Sequence, residues 1–264
     1  MLKRTISGVA VAAVFILCIS LQGIYIKVAA VFISLISEYE ILRAAKKGGI
    51  VTIDLPLYFF AAALLPAYLY FGLEGVVLAY ALCLIVLFIV RILSRRYDYP
   101  GFAASALTML YPQILFVFLY MILCIKDPKA SRLILVLSVV SAAGSDTFAY
   151  FTGSLLGKRK LCPKISPNKT FEGAAGGLMG GILLGTIIAL PLGKAALPIY
   201  AYILAAAVFA ALSQFGDLAA SVIKRHFGVK DYGTMLAGHG GMLDRVCSIL
   251  FVLPAAWIFF RIFF

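Results

Sequence analysis

Residues 213–245 read SQFGDLAASVIKRHFGVKDYGTMLAGHGGMLDR, and apolar stretches continue on either side. Asp217 lies within an apolar helical run. A carboxylate toward the middle of a membrane span costs about 2.5–3.5 kcal/mol on insertion scales, so something must compensate it. On a helix, Ser213, Asp217, Ser221 and Lys224 follow one another at spacings of four, four and three, which gathers them into one narrow polar stripe. An ion pair with Lys224 or another basic residue is one compensation. A divalent cation is the other, and it is favoured by two more carboxylates: Asp244 at the start of the next span, and Asp146 within AAGSDTFAYFTG at 142–153.

Carboxylate oxygens completed by water and phosphate are the donors Mg²⁺ prefers, and no His/Cys set for zinc is present. The expected metal is therefore Mg²⁺, held by Asp217 and Asp244 with Asp146 in support. His226 and His239 do not form a ligand pair at helical spacing. His239 in AGHGG is either a plain loop residue or a hydrogen-bond donor to phosphate from a turn that Gly240 and Gly241 permit.

Composition sets the class. Hydrophobic residues make up 64% of the 264, charged residues 13%, and mean hydropathy is +1.07. A soluble domain is roughly half apolar, so this is an all-α, polytopic integral membrane protein. Spans of about 20 apolar residues use up almost the whole chain, which reads as a single membrane domain, 1–264. Its 1–130 part holds the N-terminal helices, and its 131–264 part holds the candidate site, with cytosolic loops 154–173 and 223–243. Five cysteines show no CxxC spacing, so neither a disulfide framework nor a zinc site is expected.

The 23 Lys+Arg exceed the 11 Asp+Glu by 12. Most of the basic residues fall in short loops: 43–47, 91–96, 158–169 and 224–230. The positive-inside rule puts those loops and the N-terminus in the cytosol. Two crossings between successive basic loops then give about nine spans, near 5–22, 24–42, 50–71, 75–94, 102–125, 132–153, 174–192, 197–222 and 244–263, with the C-terminus outside. The loop carrying Lys126, Lys129 and Arg132 dissents from this pattern. The opening run resembles a signal peptide but continues too far and lacks a small-residue cleavage site, so it reads as a retained anchor.

Gly173, Gly177, Gly181 and Gly185 recur every four residues and strip one helix face of side chains. Close packing of a neighbouring helix is the expected use, and the face also leaves room for a homodimer seam. The preceding loop closes in SPNKTFEG, where Lys169 lies beside Ser166, Asn168 and Thr170 just before a helix N-terminus that can receive an anion. Lys224, Arg225 and Lys230 supply matching charge from the other cytosolic loop.

The run S-V-I-K-R-x4-K-D-x-G-x2-L-x2-H-G-G-x2-D-R, from Ser221 to Arg245, resembles the signature of the phosphatidate cytidylyltransferases, the CDP-diacylglycerol synthases. SDTFAYFTG, SPNKTFEG and SQFGDLAASVIKR resemble that family's segments in the same order, so the likeness covers about Ser141 to Cys247. It implies CTP and phosphatidate as substrates, a membrane lipid environment with no nucleic-acid partner, Mg²⁺, and room for a second, monovalent cation such as K⁺. It also implies a bacterial inner-membrane enzyme with its site facing the cytosol.

On this resemblance Asp217, Asp244, Lys224 and Arg225 are the expected catalytic set. Lys169, Ser166, Asn168, Lys230, Asp231, His239, Gly240, Gly241, Arg245 and Ser221 are the expected substrate-binding residues. Two departures stand out. Ala237 replaces the usual Pro or Gly before x-H-G-G and bears on loop shape. Cys247 replaces the acidic residue that usually follows D-R-x and bears on metal affinity. The competing readings are a relative acting on another lipid phosphate or a polyprenol, and a cation-coupled transporter. The transporter would show inverted repeats, which the two halves of this chain lack.

Overall fold

The computed structural model describes residues 23–193, 197–233 and 240–264. The expected span at 5–22, His239 and Ala237 lie outside them. The described residues are helical almost throughout, with one short hairpin of strands. Among the described residues six helices are long and apolar enough to cross a membrane, which is the polytopic all-α class expected. The chain divides into two compact units: Met1–Cys124 with Lys224–Arg245, and Ile125–Ile223 with Val246–Phe264.

The first unit contains α1 (Gly23–Lys47), α2 (Asp54–Leu93) and α3 (Tyr99–Leu123). The 40 residues of α2 hold two of the expected spans. Gly72 sits at φ 63°, ψ −146°, a conformation that side-chain-bearing residues avoid, and breaks the helix there. The Phe60 and Tyr80 rings meet edge to face at 4.7 Å between centroids. A straight helix would hold positions 20 apart at about 30 Å, so the two arms fold back on one another.

Asp98 caps α3 by accepting from the Gly101 amide at 2.8 Å. Further along, α3 widens into a π turn at Met109–Gln113. Tyr111 leaves helical geometry ahead of Pro112, which has no N–H to donate. The Tyr80 hydroxyl donates to the Met109 carbonyl, opened by this turn, at 2.9 Å. Gln113 faces α1, where it accepts from Ser34 Oγ at 2.7 Å and donates to Glu38 Oε2 at 2.8 Å. All three side chains are fully buried, and such a network satisfies polar atoms that neither lipid nor an apolar core could.

The second unit contains α4 (Pro128–Leu156), the antiparallel strands β1 (Lys160–Cys162) and β2 (Ser166–Thr170), α5 (Phe171–Gly193) and most of α6 (Ile199–His226) and α7 (Leu243–Phe263). The glycine face of α5 packs as expected. A Cβ on Gly177 would lie 2.7 Å from the Ser145 carbonyl, and one on Gly181 the same distance from the Ser141 carbonyl; Gly173 meets the Ala149 carbonyl at 2.9 Å. Ala206 and Ala210 of α6 close over Gly185 and Gly181. The Gly173, Gly177, Gly181 and Gly185 positions are thus packed against the chain's own helices. Gln214 Nε2 bridges the packed helices, donating to Ser145 Oγ and the Ala174 carbonyl, each at 3.0 Å.

The loop between α4 and α5 is not a coil but the β1–β2 hairpin, with Lys160 opposite Thr170 and Cys162 opposite Ser166. Thr170 Oγ1 accepts from the Gly173 amide at 3.1 Å and caps α5. Glu172 reaches back to accept from the Lys158 and Arg159 amides, at 3.1 and 3.2 Å. Cap and strap together hold the basic loop at the mouth of the glycine-faced helix.

Candidate active site

In the second unit, β2 ends one residue after Lys169, and the hairpin directs that side chain at α6. Lys169 Nζ lies 2.7 Å from Asp217 Oδ2, with the two side chains 26% and 35% exposed. The compensation of the intrahelical carboxylate is therefore an ion pair in this structure, made by a lysine 48 positions earlier rather than by Lys224. Ser166 is half-buried and Asn168 exposed on the same strand; Ser221 is buried on α6; Asp146 is exposed on α4. Among this unit's expected site residues, Lys169 and Asp217 are in direct contact.

The first unit brings more of them together. Lys224 Nζ donates to Asp244 Oδ1 at 2.7 Å, with the side chains only 11% and 5% exposed. The ammonium also stands 5.5 Å from the centre of the Tyr232 ring, within cation–π range. Asp244 Oδ2 accepts from the backbone N–H groups of Tyr232 and Gly241, each at 2.9 Å. One ammonium and two amides therefore converge on the Asp244 carboxylate.

Gly240 has φ +79°, and a Cβ there would come 3.0 Å from Asp244 Oδ2 and 3.5 Å from Asp231 Oδ1. The turn thus requires glycine for its backbone and draws Asp231 near Asp244. The Gly241 amide of this turn donates to Asp244. Arg225 is exposed and donates to the Val229 carbonyl at 3.3 Å. Lys230 and Arg245 are also exposed.

Sequence reasoning missed Glu40. Its side chain, on α1, accepts from the Met242 amide at 2.9 Å and the Leu243 amide at 2.8 Å, and the residue is 2% exposed. The signal was present, since EYEILRAAKK places an acid within an expected span, but it passes for the charged end of a helix. Cys247 is 1% exposed, and its carbonyl lies 2.7 Å from where a Cβ on Gly216 would stand. Dense packing of α6 on α7 surrounds the position where the resemblance expects an acid.

Each unit thus carries a lysine–aspartate pair made of expected site residues, Lys224–Asp244 beside a glycine turn and Lys169–Asp217 beside a basic hairpin. The chain belongs to the cytidylyltransferase family, whose profile matches residues 2–263. It is 34% identical over 273 aligned residues to a phosphatidate cytidylyltransferase of Bacillus subtilis, covering 100% of this chain and 98% of that one. A phosphatidate cytidylyltransferase of Thermotoga maritima is 37% identical over 164 residues, 61% of this chain and 59% of its own. One from Staphylococcus haemolyticus reaches 49% over 110 residues, 42% of each chain.

Proposed function

We propose that this protein is a phosphatidate cytidylyltransferase, which transfers the cytidylyl group of CTP to phosphatidate and leaves CDP-diacylglycerol in the membrane. The observation that carries the reading is the likeness to the Bacillus subtilis enzyme over the whole chain. In the reaction a phosphate oxygen of phosphatidate attacks the α-phosphorus of CTP. The new P–O bond forms as the bond to the β-phosphate bridging oxygen breaks, and pyrophosphate leaves with that electron pair. Both reactants are anions, so the protein's task is to neutralise and align them.

Lys169, Lys224 and Arg225 supply positive charge that receives the phosphates and the leaving pyrophosphate. Lys230, Arg245, Ser166, Asn168 and Ser221 add donors for the nucleotide and headgroup. His239, Gly240 and Gly241 shape the turn, and Asp231 stands beside it. The acyl chains need no polar recognition and remain in lipid while the headgroup enters.

The donor set fits Mg²⁺. Asp217 and Asp244 offer hard oxygen donors, and a bound cation would share or displace the lysine partner of each. Among the described residues no group of three or more His, Cys, Asp or Glu gathers, so water and substrate phosphate would complete the shell. Asp217 and Asp244 would hold the ion, with Asp146 in support and K⁺ as a second cation. Bound there, Mg²⁺ would stabilise negative charge on the phosphate oxygens. The positive-inside rule, applied to the basic loops, supports the cytosolic side of a bacterial inner membrane as the place of this chemistry.

The test is purified protein in detergent with labelled CTP, phosphatidate and MgCl₂. A CDP-lipid should form, and it should vanish in Asp217→Asn and Asp244→Asn. Turnover with a polyprenol or with ATP in place of the expected substrates, and none with CTP and phosphatidate, would sink the assignment. Full activity in both variants would remove the two aspartates from the metal site.

A further inference from the structure

Asp244 does not position itself. It is the second residue of α7, and its carboxylate aims back at the preceding turn, so its direction depends on how that helix start is held. The first amides of a helix lack intrahelical acceptors and carry the positive end of the helix dipole. Here three consecutive amides are satisfied by carboxylates: Gly241 by Asp244, and Met242 and Leu243 by the two oxygens of Glu40. Glu40 comes from α1, some 200 positions away, and is removed from solvent.

Two glycines make room for it. A Cβ on Gly241 would lie 2.6 Å from the Glu40 carboxyl carbon, and one on Gly233 would collide with Glu40 Oε1. Neither glycine has positive φ, so space and not backbone conformation dictates both. Gly233 adjoins Tyr232, whose amide is the other backbone donor to Asp244. Glu40 therefore lies against both stretches that orient Asp244.

We infer that Glu40 is a positioning residue for the transfer reaction, clamping the start of α7 and the Tyr232–Gly233 segment so that Asp244 is held in its working direction. This rests on the reading of Asp244 as a metal-holding residue of a cytidylyltransferase. The clamp needs both carboxylate oxygens as acceptors. In Glu40→Gln the amide NH₂ would face a backbone N–H, donor against donor, while shape and burial stay the same. In Glu40→Asp both acceptors survive but fall short by one methylene.

The experiment compares wild type, Glu40→Gln, Glu40→Asp and Gly233→Ala in detergent. It measures kcat, KM for phosphatidate, melting temperature, and the shift in melting temperature on adding MgCl₂ without substrate. Losing a group that orients a metal ligand typically costs about 10–100-fold in activity or metal affinity. Expected for Glu40→Gln are a kcat lower by at least about tenfold, an unchanged KM for phosphatidate, and a reduced Mg²⁺-induced shift. Glu40→Asp should recover part of each, and Gly233→Ala should reproduce the Gln defect without altering any charge.

If folded Glu40→Gln turns over at the wild-type rate with a wild-type Mg²⁺ shift, the inference is overturned. It is likewise overturned if melting temperature falls while the rate per folded molecule holds. Should Glu40→Gln not fold, the same two outcomes read on Gly233→Ala decide. A wild type that makes no CDP-lipid fails the functional reading itself, and the variants cannot mimic that result.

Discussion

Lys224 and Asp244, twenty positions apart and on consecutive helices, pair at 2.7 Å with both side chains nearly withdrawn from solvent. Removing one member of a buried pair leaves the other charge uncompensated, at about 3–5 kcal/mol. Two backbone amides still serve Asp244, so Lys224→Met is expected toward the lower end of that range. Denaturant unfolding in detergent micelles checks the stability, and CDP-lipid formation should fall with it. The double variant Lys224→Met with Asp244→Asn removes both charges but leaves an amide oxygen to accept from Tyr232 and Gly241, so it is expected to regain stability but not activity, which separates the structural role of the pair from the chemical one.

Lys169 and Asp217 make a more open pair, a quarter to a third exposed. Ion pairs of this exposure contribute about 0–1 kcal/mol to stability. Lys169→Ala should therefore melt within a few degrees of wild type while its KM for CTP rises by about tenfold, the equivalent of about 1.4 kcal/mol of binding. Substrate titration at saturating phosphatidate measures this. An unchanged KM would reduce Lys169 to a structural counter-ion.

Chelation offers a third check. Stripping divalent ions with EDTA should abolish turnover, and MgCl₂ should restore it. A hard oxygen donor set also predicts that Mn²⁺ rescues while Zn²⁺ does so poorly, since no thiol or imidazole pair is there to favour it. Rescue by Zn²⁺ alone would contradict the carboxylate site.

On the glycine face, Gly181→Val forces a branched side chain against the Ser141 carbonyl and Ala210. Overpacking of this kind costs about 1–3 kcal/mol. A comparable loss, about 1 kcal/mol, is expected for Thr170→Val, which keeps shape but removes the cap of α5. Melting temperatures of the two variants, measured in the same detergent, provide the comparison.

Much of this molecule was legible because membrane sequence is monotonous, so that departures from it carry information. Asp217, Asp244 and Lys169 announced themselves as charges where none is cheap, and the four-residue glycine period translated directly into a helix seam. The break at Gly72 fell in the gap between two expected spans. The β1–β2 hairpin was not legible, since three- and five-residue strands containing Pro167 have neither the length nor the alternation of a recognisable strand. Glu40 was hidden for a different reason. Its partners are backbone amides some 200 positions later, and backbone donors leave no trace in residue identity. Pairings between side chains can be guessed from charge, but that one needed coordinates.

The α2 hairpin folded about Gly72 buries only 17% of its most apolar window, and Leu69, Tyr70, Phe71, Leu73 and Val77 point outward. Those outward residues pack against little else among the described residues, so apolar character matters there while particular shape does not. Exchanges among Leu, Ile, Val and Phe on that surface should pass unnoticed, which makes the hairpin the natural place to attach a fluorophore or a purification handle.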